Sequence, residues 1–287
     1  MKRNFIIGGI IAAVGFLILG LTFLIGLSGN YKSQTAYTNK EYTATSKFQS
    51  VVIDDSNCPI HIYGTDKSYI YIKYSERRNE TYSFKASKGV LQIQKHNNRP
   101  WYQFFNLTFS KGDLEIYIPK SDLQELNVDT SNDDITVEDL NSQIMTLSTS
   151  NGSIDMNNVK ISDNLHVDTS NDDITLKDVT VTNGEITGKT SNSEINLNNV
   201  IAQSISMKTS NDSISLENIV FAKSGVFNTS NGEIEGTIKG RLADFKEINS
   251  KTSHGDNSFP DNTFNSSGTK YLTLDTSNDD IDVSIQE

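Results

Sequence analysis

The chain has 287 residues and a formal net charge of -11, with charged residues making up 21% of it. Because an acidic chain without a Lys/Arg cluster repels nucleic acid, we expect no nucleic-acid partner. The one cysteine, Cys58, rules out a disulfide framework and a thiolate metal cluster, and we expect it to be a small buried residue in a strand. Frequent Asn, Ser, Thr and Asp residues indicate a turn-rich chain that is not helical.

The N-terminal segment Phe5–Leu27 is uncharged over 23 residues, long enough to cross a bilayer with some tilt. Lys2 and Arg3 precede it and no basic residue follows before Lys32, so the positive-inside rule places residues 1–4 in the cytoplasm. A cleavable signal peptide is the alternative, but its apolar core would be shorter. We therefore predict an uncleaved, single-pass signal anchor in the cell membrane, with the rest of the chain outside.

Residues 28–46 are polar and lack periodicity, which predicts an exposed linker. Residues 47–125 contain short runs of alternating apolar and polar residues, such as "SYIYIKYSE" and "VLQIQKH", separated by turn residues. We interpret them as antiparallel or irregular β structure that caps the repeats at 126–287.

An aromatic cluster interrupts this cap in "NNRPWYQFFNLTF". Such a cluster suits sugar stacking or contact with a partner, and it equally suits a hydrophobic plug or a strand pair. As a speculative partner-binding surface we single out Trp101, Tyr102, Phe104 and Phe105.

From residue 126 onward the chain repeats the triplet Thr-Ser-Asn, with Ile three residues after each Asn. Successive threonines are separated by 19, 20, 21, 19 and 20 residues, and a final interval of 47 residues contains a degenerate copy at Thr252. In predicting the fold, internal repetition of this kind counts for more than the local pattern of apolar and polar residues. The repeated positions are Thr130, Asn132, Thr149, Asn151, Thr169, Asn171, Thr190, Asn192, Thr209, Asn211, Thr229, Asn231, Thr276 and Asn278.

One such unit is too small to bury its own apolar face, so neighbouring units must stack. Rungs stacked about 4.8 Å apart give a rod of roughly 40 Å. The predicted fold is all-β: a parallel β-solenoid of about eight rungs, each of about 20 residues, with an N-terminal β cap and one preceding transmembrane helix. A propeller needs about 40 residues per blade and fits the spacing less well.

Every position of the triplet has a structural explanation, so we interpret it as a corner of the rung. The parity of Thr points its methyl inward, and its hydroxyl is free to bond along the stack. Asn tolerates a positive φ in turns, and its amide can bond from rung to rung. The two residues after Asn vary, as expected of a solvated edge.

Two alternatives involve chemistry at this surface. The acidic pairs at the corners are hard oxygen donors that would suit a calcium-stabilised repeat, although the calcium β-roll has a glycine-rich, nine-residue period. A polysaccharide-active enzyme on a β-solenoid is the other, although the short turns leave little room for a cleft and no catalytic motif is present. We expect no enzyme activity, no cofactor and no metal site. The acidic pairs are Asp133, Asp134, Asp172, Asp173, Asp279 and Asp280.

The segment "DLEIYIPKSDLQELNVDTSNDDITVEDL", the "TSNGSI" units and "GRLADFKEI" near the end resemble the putative-adhesin family of bacterial β-strand-repeat proteins, which includes LiaG-type membrane-anchored proteins. The resemblance covers residues 47–287. It implies a β-solenoid outside the cell, in some members linked to envelope stress, and it supplies no functional residues. We therefore expect a binding, adhesin-like or scaffolding protein of the bacterial cell envelope, with an unknown protein or glycan as partner.

Overall fold

The computed structural model describes residues 36–98, 112–121, 123–259 and 263–287. The predicted membrane anchor Phe5–Leu27 and the aromatic segment around Trp101 lie outside these residues. Within them, no helix has the length and apolar character needed to cross a membrane.

The regular secondary structure of the described chain is β-strand apart from a three-residue 3₁₀ turn at Leu242–Asp244. Its strands are β1 (Thr38–Ala44), β2 (Ser50–Asp54), β3 (Ile60–Thr65), β4 (Ile70–Glu76), β5 (Glu80–Ser87), β6 (Val90–Asn97), β7 (Leu114–Pro119), β8 (Glu125–Asp129), β9 (Ile135–Glu138), β10 (Asn141–Ser148), β11 (Ile154–Asp168), β12 (Ile174–Val181), β13 (Glu185–Lys189), β14 (Ile195–Asn198), β15 (Ile201–Lys208), β16 (Ile214–Asn228), β17 (Ile234–Lys239), β18 (Phe245–Lys251), β19 (Thr263–Phe264), β20 (Lys270–Asp275) and β21 (Ile281–Gln286).

The strands coil into a parallel β-solenoid with three faces, as the repeat predicts. The first face holds the strands that lead into each triplet, in the spatial order β6–β2–β8–β10–β11–β13–β15–β16–β20–β18, and every neighbouring pair is parallel. The third face is short and is formed by residues 141–142, 160–161, 180–181, 201–202 and 220–221.

The second face follows each triplet and explains the repeated Ile. The isoleucine of every rung lies in register on that of the next, and all of them are buried, so they form one apolar column along the rod. Such a column removes apolar area from water that a lone rung would leave exposed. Its members in the described chain are Ile60, Ile135, Ile154, Ile174, Ile195, Ile214, Ile234 and Ile281.

At the N-terminal end the rungs do not follow the order of the chain. Strand β2 lies between β6 and β8, and β3 lies between β7 and β9, with parallel pairing throughout. Residues 47–125 therefore add parallel rungs to the solenoid as well as the antiparallel strands β4 and β5. Part of the stretch predicted as a linker, Thr38–Ala44, is strand β1 and pairs with β4.

The C-terminal end has the same arrangement. Strand β20 lies between β16 and β18, so the rung of Thr276 sits directly on that of Thr229 and the degenerate rung of Thr252 is outermost. The order of the repeats along the chain predicts the Thr252 rung between those of Thr229 and Thr276, and this prediction is wrong. This outermost rung has His254 in place of the triplet's Asn, and its strand β18 also pairs antiparallel with β19.

Candidate functional site

The triplet threonines face the interior and are 0 to 6% exposed. From Thr149 onward each hydroxyl donates to a backbone carbonyl of the adjacent rung, for example Thr169 Oγ1 to Gly152 O at 2.8 Å. Thr130 Oγ1, whose neighbouring rung has the corner Asp55-Ser56-Asn57, has no partner among the described residues. These hydroxyls tie consecutive corners together.

The triplet asparagines form a ladder on the outer surface. Each side-chain Nδ2 donates one hydrogen bond to the Oδ1 of the asparagine below and a second to a serine carbonyl of that rung, so both amide hydrogens are used. The Nδ2–Oδ1 distances are 2.7–3.0 Å. In the described chain the ladder joins Asn57, Asn132, Asn151, Asn171, Asn192, Asn211, Asn231 and Asn278.

The expectation of a positive φ at the triplet asparagine is wrong. Among described residues other than glycine, positive φ angles occur at Lys88 and at the corner between the second and third faces, with values of 53–57° at that corner. Asp and Asn tolerate this conformation better than other non-glycine residues. The corner residues are Asp139, Asn158, Asp178, Asn199 and Asn218.

The ladder's first member, Asn57, belongs to a corner that the repeat search misses. Here the chain reads Asp55-Ser56-Asn57, with Asp in place of Thr. The Asp55 carboxylate accepts the backbone N–H groups of Ser56 and Asn57, and it is fully buried against Lys95 Nζ at 3.1 Å. The ammonium group of Lys95, in the neighbouring strand β6, thus compensates the negative charge of Asp55.

Tyr82 and Cys58 complete this buried cluster. The Tyr82 hydroxyl donates to Asp55, and the Cys58 thiol donates to Gly112 O at 3.0 Å. Burial and the neighbouring Asp55 carboxylate raise the pKa of the Cys58 thiol to about 12, so the thiol stays protonated and unreactive. Cys58 is buried as expected, but it lies in the corner between β2 and β3 and not in a strand.

The proposed aromatic contact residues Trp101, Tyr102, Phe104 and Phe105 lie outside the described residues. The structure brings together another aromatic group that sequence reasoning missed, on the outer surface of β3, β7 and β4. The rings of Tyr63 and Tyr117 stack with centroids 5.3 Å apart, and Tyr71 lies 5.9 Å from Tyr117. Because these rings cover one another's faces, we interpret the row as a stabilising stack.

The acidic corner pairs do not converge on a site. Asp172 and Asp279 each accept the backbone N–H of the following residue at 3.0 Å, so their carboxylates complete the local turn. Across residues 36–98, 112–121, 123–259 and 263–287, no group of three His, Cys, Asp or Glu side chains is placed to hold a metal ion.

The candidate site is a groove of 690 Å³ at the N-terminal end of the third face. After β3 the chain turns into β4, which pairs with β1 and β7, so the third face begins one rung later, at Asn141 and Ser142. We call it the third-face groove. It is lined by Lys47, Phe48, Gln49, Gly89, Lys120, Leu123, Gln124, Asn141, Ser142, Gln143 and Ser162.

Backbone pairing holds the amide side chains of this groove in consecutive rungs. Gln124 N donates to Gln49 O at 2.8 Å, and Ile144 N donates to Gln124 O at 2.8 Å. The Gln143 side chain is oriented by its Nε2, which donates to Asp163 Oδ2 at 2.8 Å. Sequence reasoning missed the groove, and the available signal was Ser142, a serine where later rungs have an apolar residue.

The three-faced solenoid with stacked asparagine corners places the chain in the class of parallel β-solenoid repeat proteins. Residues 48–285 match the model of the family described as Toastrack DUF4097, and the chain belongs to that family. This match confirms the resemblance to the putative-adhesin family, while the LiaG-type subgroup stays a prediction.

The chain is similar to several solved structures. A putative adhesin from Bacteroides fragilis is 12% identical, with a TM-score of 0.51, covering 88% of this chain and 99% of that one. A putative adhesin from Parabacteroides merdae is 11% identical, with a TM-score of 0.40 and coverage of 89% and 97%. A putative lipid binding protein from Parabacteroides distasonis is 13% identical, with a TM-score of 0.41 and coverage of 88% and 97%. No curated protein matches the chain.

Proposed function

We propose that this chain is a non-enzymatic binding protein of the bacterial cell envelope, anchored in the membrane by residues 5–27 with its solenoid outside the cell. The observation that carries the binding role is the third-face groove, a concavity of 690 Å³ built on stacked rungs. The Bacteroides fragilis protein that shares the fold is described as an adhesin, which agrees with binding. The same proposal includes a role for this protein in the response of the cell envelope to stress.

The position of the groove suits a partner close to the membrane. Residues 28–37 connect the proposed anchor to β1, and a chain of this length spans at most roughly 35 Å. The groove lies at the same end of the rod as β1. A ligand bound there would be held near the outer face of the cell membrane. The remaining rungs would extend away from the membrane.

The orientation is tested by fusing alkaline phosphatase, which is active only outside the cytoplasm, to the C-terminus of the full chain in bacterial cells. We expect high phosphatase activity and low activity of a matched β-galactosidase fusion. A variant with Lys2→Glu and Arg3→Glu removes the positive-inside bias and should lower phosphatase activity. High β-galactosidase activity of the unmodified fusion would refute the proposed location.

Binding is tested by sedimenting the purified full chain with insoluble envelope material. Gln124→Trp places a large side chain in the groove and should reduce the bound fraction. Gln203→Trp makes the same change at the same corner, several rungs away, and should not. Equal sedimentation of both variants and the parent would contradict a binding role for the groove.

A further inference from the structure

Charge is distributed unevenly along the rod. Residues 36–98, at the N-terminal end, carry nine Lys or Arg and six Asp or Glu residues, a net charge of +3. Residues 126–287 carry ten Lys or Arg and 26 Asp or Glu residues, a net charge of -16. A chain that is acidic as a whole therefore has one basic end, and a negatively charged surface attracts that end and repels the repeats.

Three cations of this end lie along its outermost strand. In the described chain β5 pairs only with β6, so it forms the edge of the first face. Arg78 comes just before β5, Lys85 lies within it, and Lys88 follows it in the turn to β6. All three are exposed, and none of them makes an ion pair with another described residue. We call these three residues the basic edge.

The cations next to the basic edge are already neutralised. Lys40 Nζ lies 2.6 Å from a carboxylate oxygen of Glu76, and the Arg77 guanidinium lies 2.7 Å from one of Glu80. Both carboxylates belong to residues that are less than a tenth exposed. Because each of these cations has its own counter-charge, Arg78 beside them is left in excess.

Arg78 borders a pocket of 350 Å³ at the start of β1. The hydroxyl residues Thr38 and Thr81 line the same pocket. A guanidinium binds two oxygens of a phosphate through parallel N–H groups, and hydroxyls donate to the remaining oxygens. The pocket therefore suits a phosphate group, and it lies where the chain enters the fold from residues 28–37.

The position of this end decides which anionic surface it meets. The short connection from the proposed anchor keeps β1 and β5 within roughly 35 Å of the membrane. A tethered surface is present at a high effective concentration, which a free acidic protein does not match. Each Lys or Arg near a layer of anionic lipids strengthens the attraction about fivefold, so three of them together are sufficient for docking.

We propose that the basic edge docks on the anionic lipid headgroups of the membrane that carries the anchor. A headgroup phosphate lies in the pocket against Arg78, and Lys85 and Lys88 contact neighbouring headgroups. Attraction at this end and repulsion of the acidic repeats together orient the rod away from the membrane. This inference rests on the proposed membrane anchor and names the surface that the anchored end contacts.

The test places the full chain in nanodiscs of phosphatidylcholine, with or without phosphatidylglycerol, and measures energy transfer from a dye on Ser87→Cys to dye-labelled lipid headgroups. Cys58 is buried, so the dye attaches to the introduced cysteine, which is exposed at the end of β5. We expect higher transfer in the discs that contain phosphatidylglycerol, falling as salt is added. A dye on Ser253→Cys, in the outermost rung of the opposite end, should show low transfer in both.

Two matched triple variants separate the basic edge from general charge. Replacing Arg78, Lys85 and Lys88 by Gln should weaken docking about 100-fold and lower the transfer to its value in neutral discs. The control removes three exposed lysines of the repeats and should not lower the transfer. Both variants should melt at the temperature of the parent, because every change is on the surface. The control substitutions are Lys160→Gln, Lys177→Gln and Lys223→Gln.

Equal transfer in the two kinds of disc, or a basic-edge variant that docks like the parent, overturns the inference. Release of the edge by soluble polyglutamate, at a charge concentration equal to that of the lipid, would assign it to an acidic protein segment and also overturns it. A chain that does not enter the discs refutes the proposed anchor, and the inference falls with it. A chain that enters them and sediments with envelope material, yet shows equal transfer, keeps the proposed function and loses this surface.

Discussion

Asn278 and Asn231 are 47 positions apart in the chain, yet Asn278 Nδ2 donates to Asn231 Oδ1 at 2.7 Å. This bond makes the final rung an internal one, with β16 on one side and β18 on the other. A C-terminal segment with neighbours on both sides is harder to unfold locally than a frayed end.

The first prediction follows from that position. Leu274→Ala, a change at a fully buried site in the last rung, should lower the free energy of unfolding by about 2–5 kcal/mol. Chemical denaturation measures it, with Tyr271→Ala on the exposed side of the same strand as the control. A loss below about 0.5 kcal/mol for Leu274→Ala would mean that this rung frays like an ordinary terminus.

The second prediction concerns the amide ladder. Asn192 donates to Asn171 Oδ1 at 2.7 Å and to Ser170 O, and accepts from Asn211. Asn192→Asp keeps the shape but places a negative oxygen against two acceptors, so it should destabilise the fold by about 1–3 kcal/mol, more than Asn192→Ala does.

Thermal unfolding of both variants checks this order, with Asn183→Asp, outside the ladder, as a control for charge. If Asn192 served only as a turn former, Asp would be tolerated better than Ala, and the reverse order would be observed.

The third prediction concerns the buried pair of Asp55 and Lys95. Lys95→Met leaves the Asp55 carboxylate without its cation and should cost about 3–5 kcal/mol. Adding Asp55→Thr restores the residue found at the other corners and should recover most of that loss. Denaturation of the two single variants and the double variant gives the coupling energy, and additive losses would contradict the compensation between the two rungs.

The fourth prediction concerns pH. Burial and the nearby carboxylates of Glu235, Asp279, Asp280 and Asp282 raise the pKa of Glu233. A carboxyl with a folded pKa above its unfolded value destabilises the fold at high pH, and this penalty disappears as the pH falls below the unfolded pKa. Glu233→Gln should therefore raise the melting temperature at pH 7 and leave it unchanged near pH 3.

Melting curves across this pH range provide the measurement. A Glu233→Gln gain that persists unchanged at pH 3 would indicate a cause other than the titration of this carboxyl.

The sequence alone determined the repeating part of this protein. Alternating apolar residues, a period near 20 and a fixed Thr, Asn and Ile specify a stacked β-rung, because each rung is built from residues adjacent in the chain. The buried threonines and the isoleucine column lie where that pattern predicts. The positive φ was predicted at the triplet asparagine, but it occurs at the corner between the second and third faces. Residue type did not distinguish the two corners, because Asn and Asp occur at both.

Only the tertiary structure decided the ends and the groove. Asn132 bonds to Asn57 across 75 positions, and Asp55 replaces the expected Thr because Lys95 from the outer rung compensates its charge. Which rung stacks on which is a choice between nearly equivalent edges, and the local pattern does not encode it. The third-face groove exists because of that choice, since the third face begins only at Asn141 and Ser142, one rung after β3.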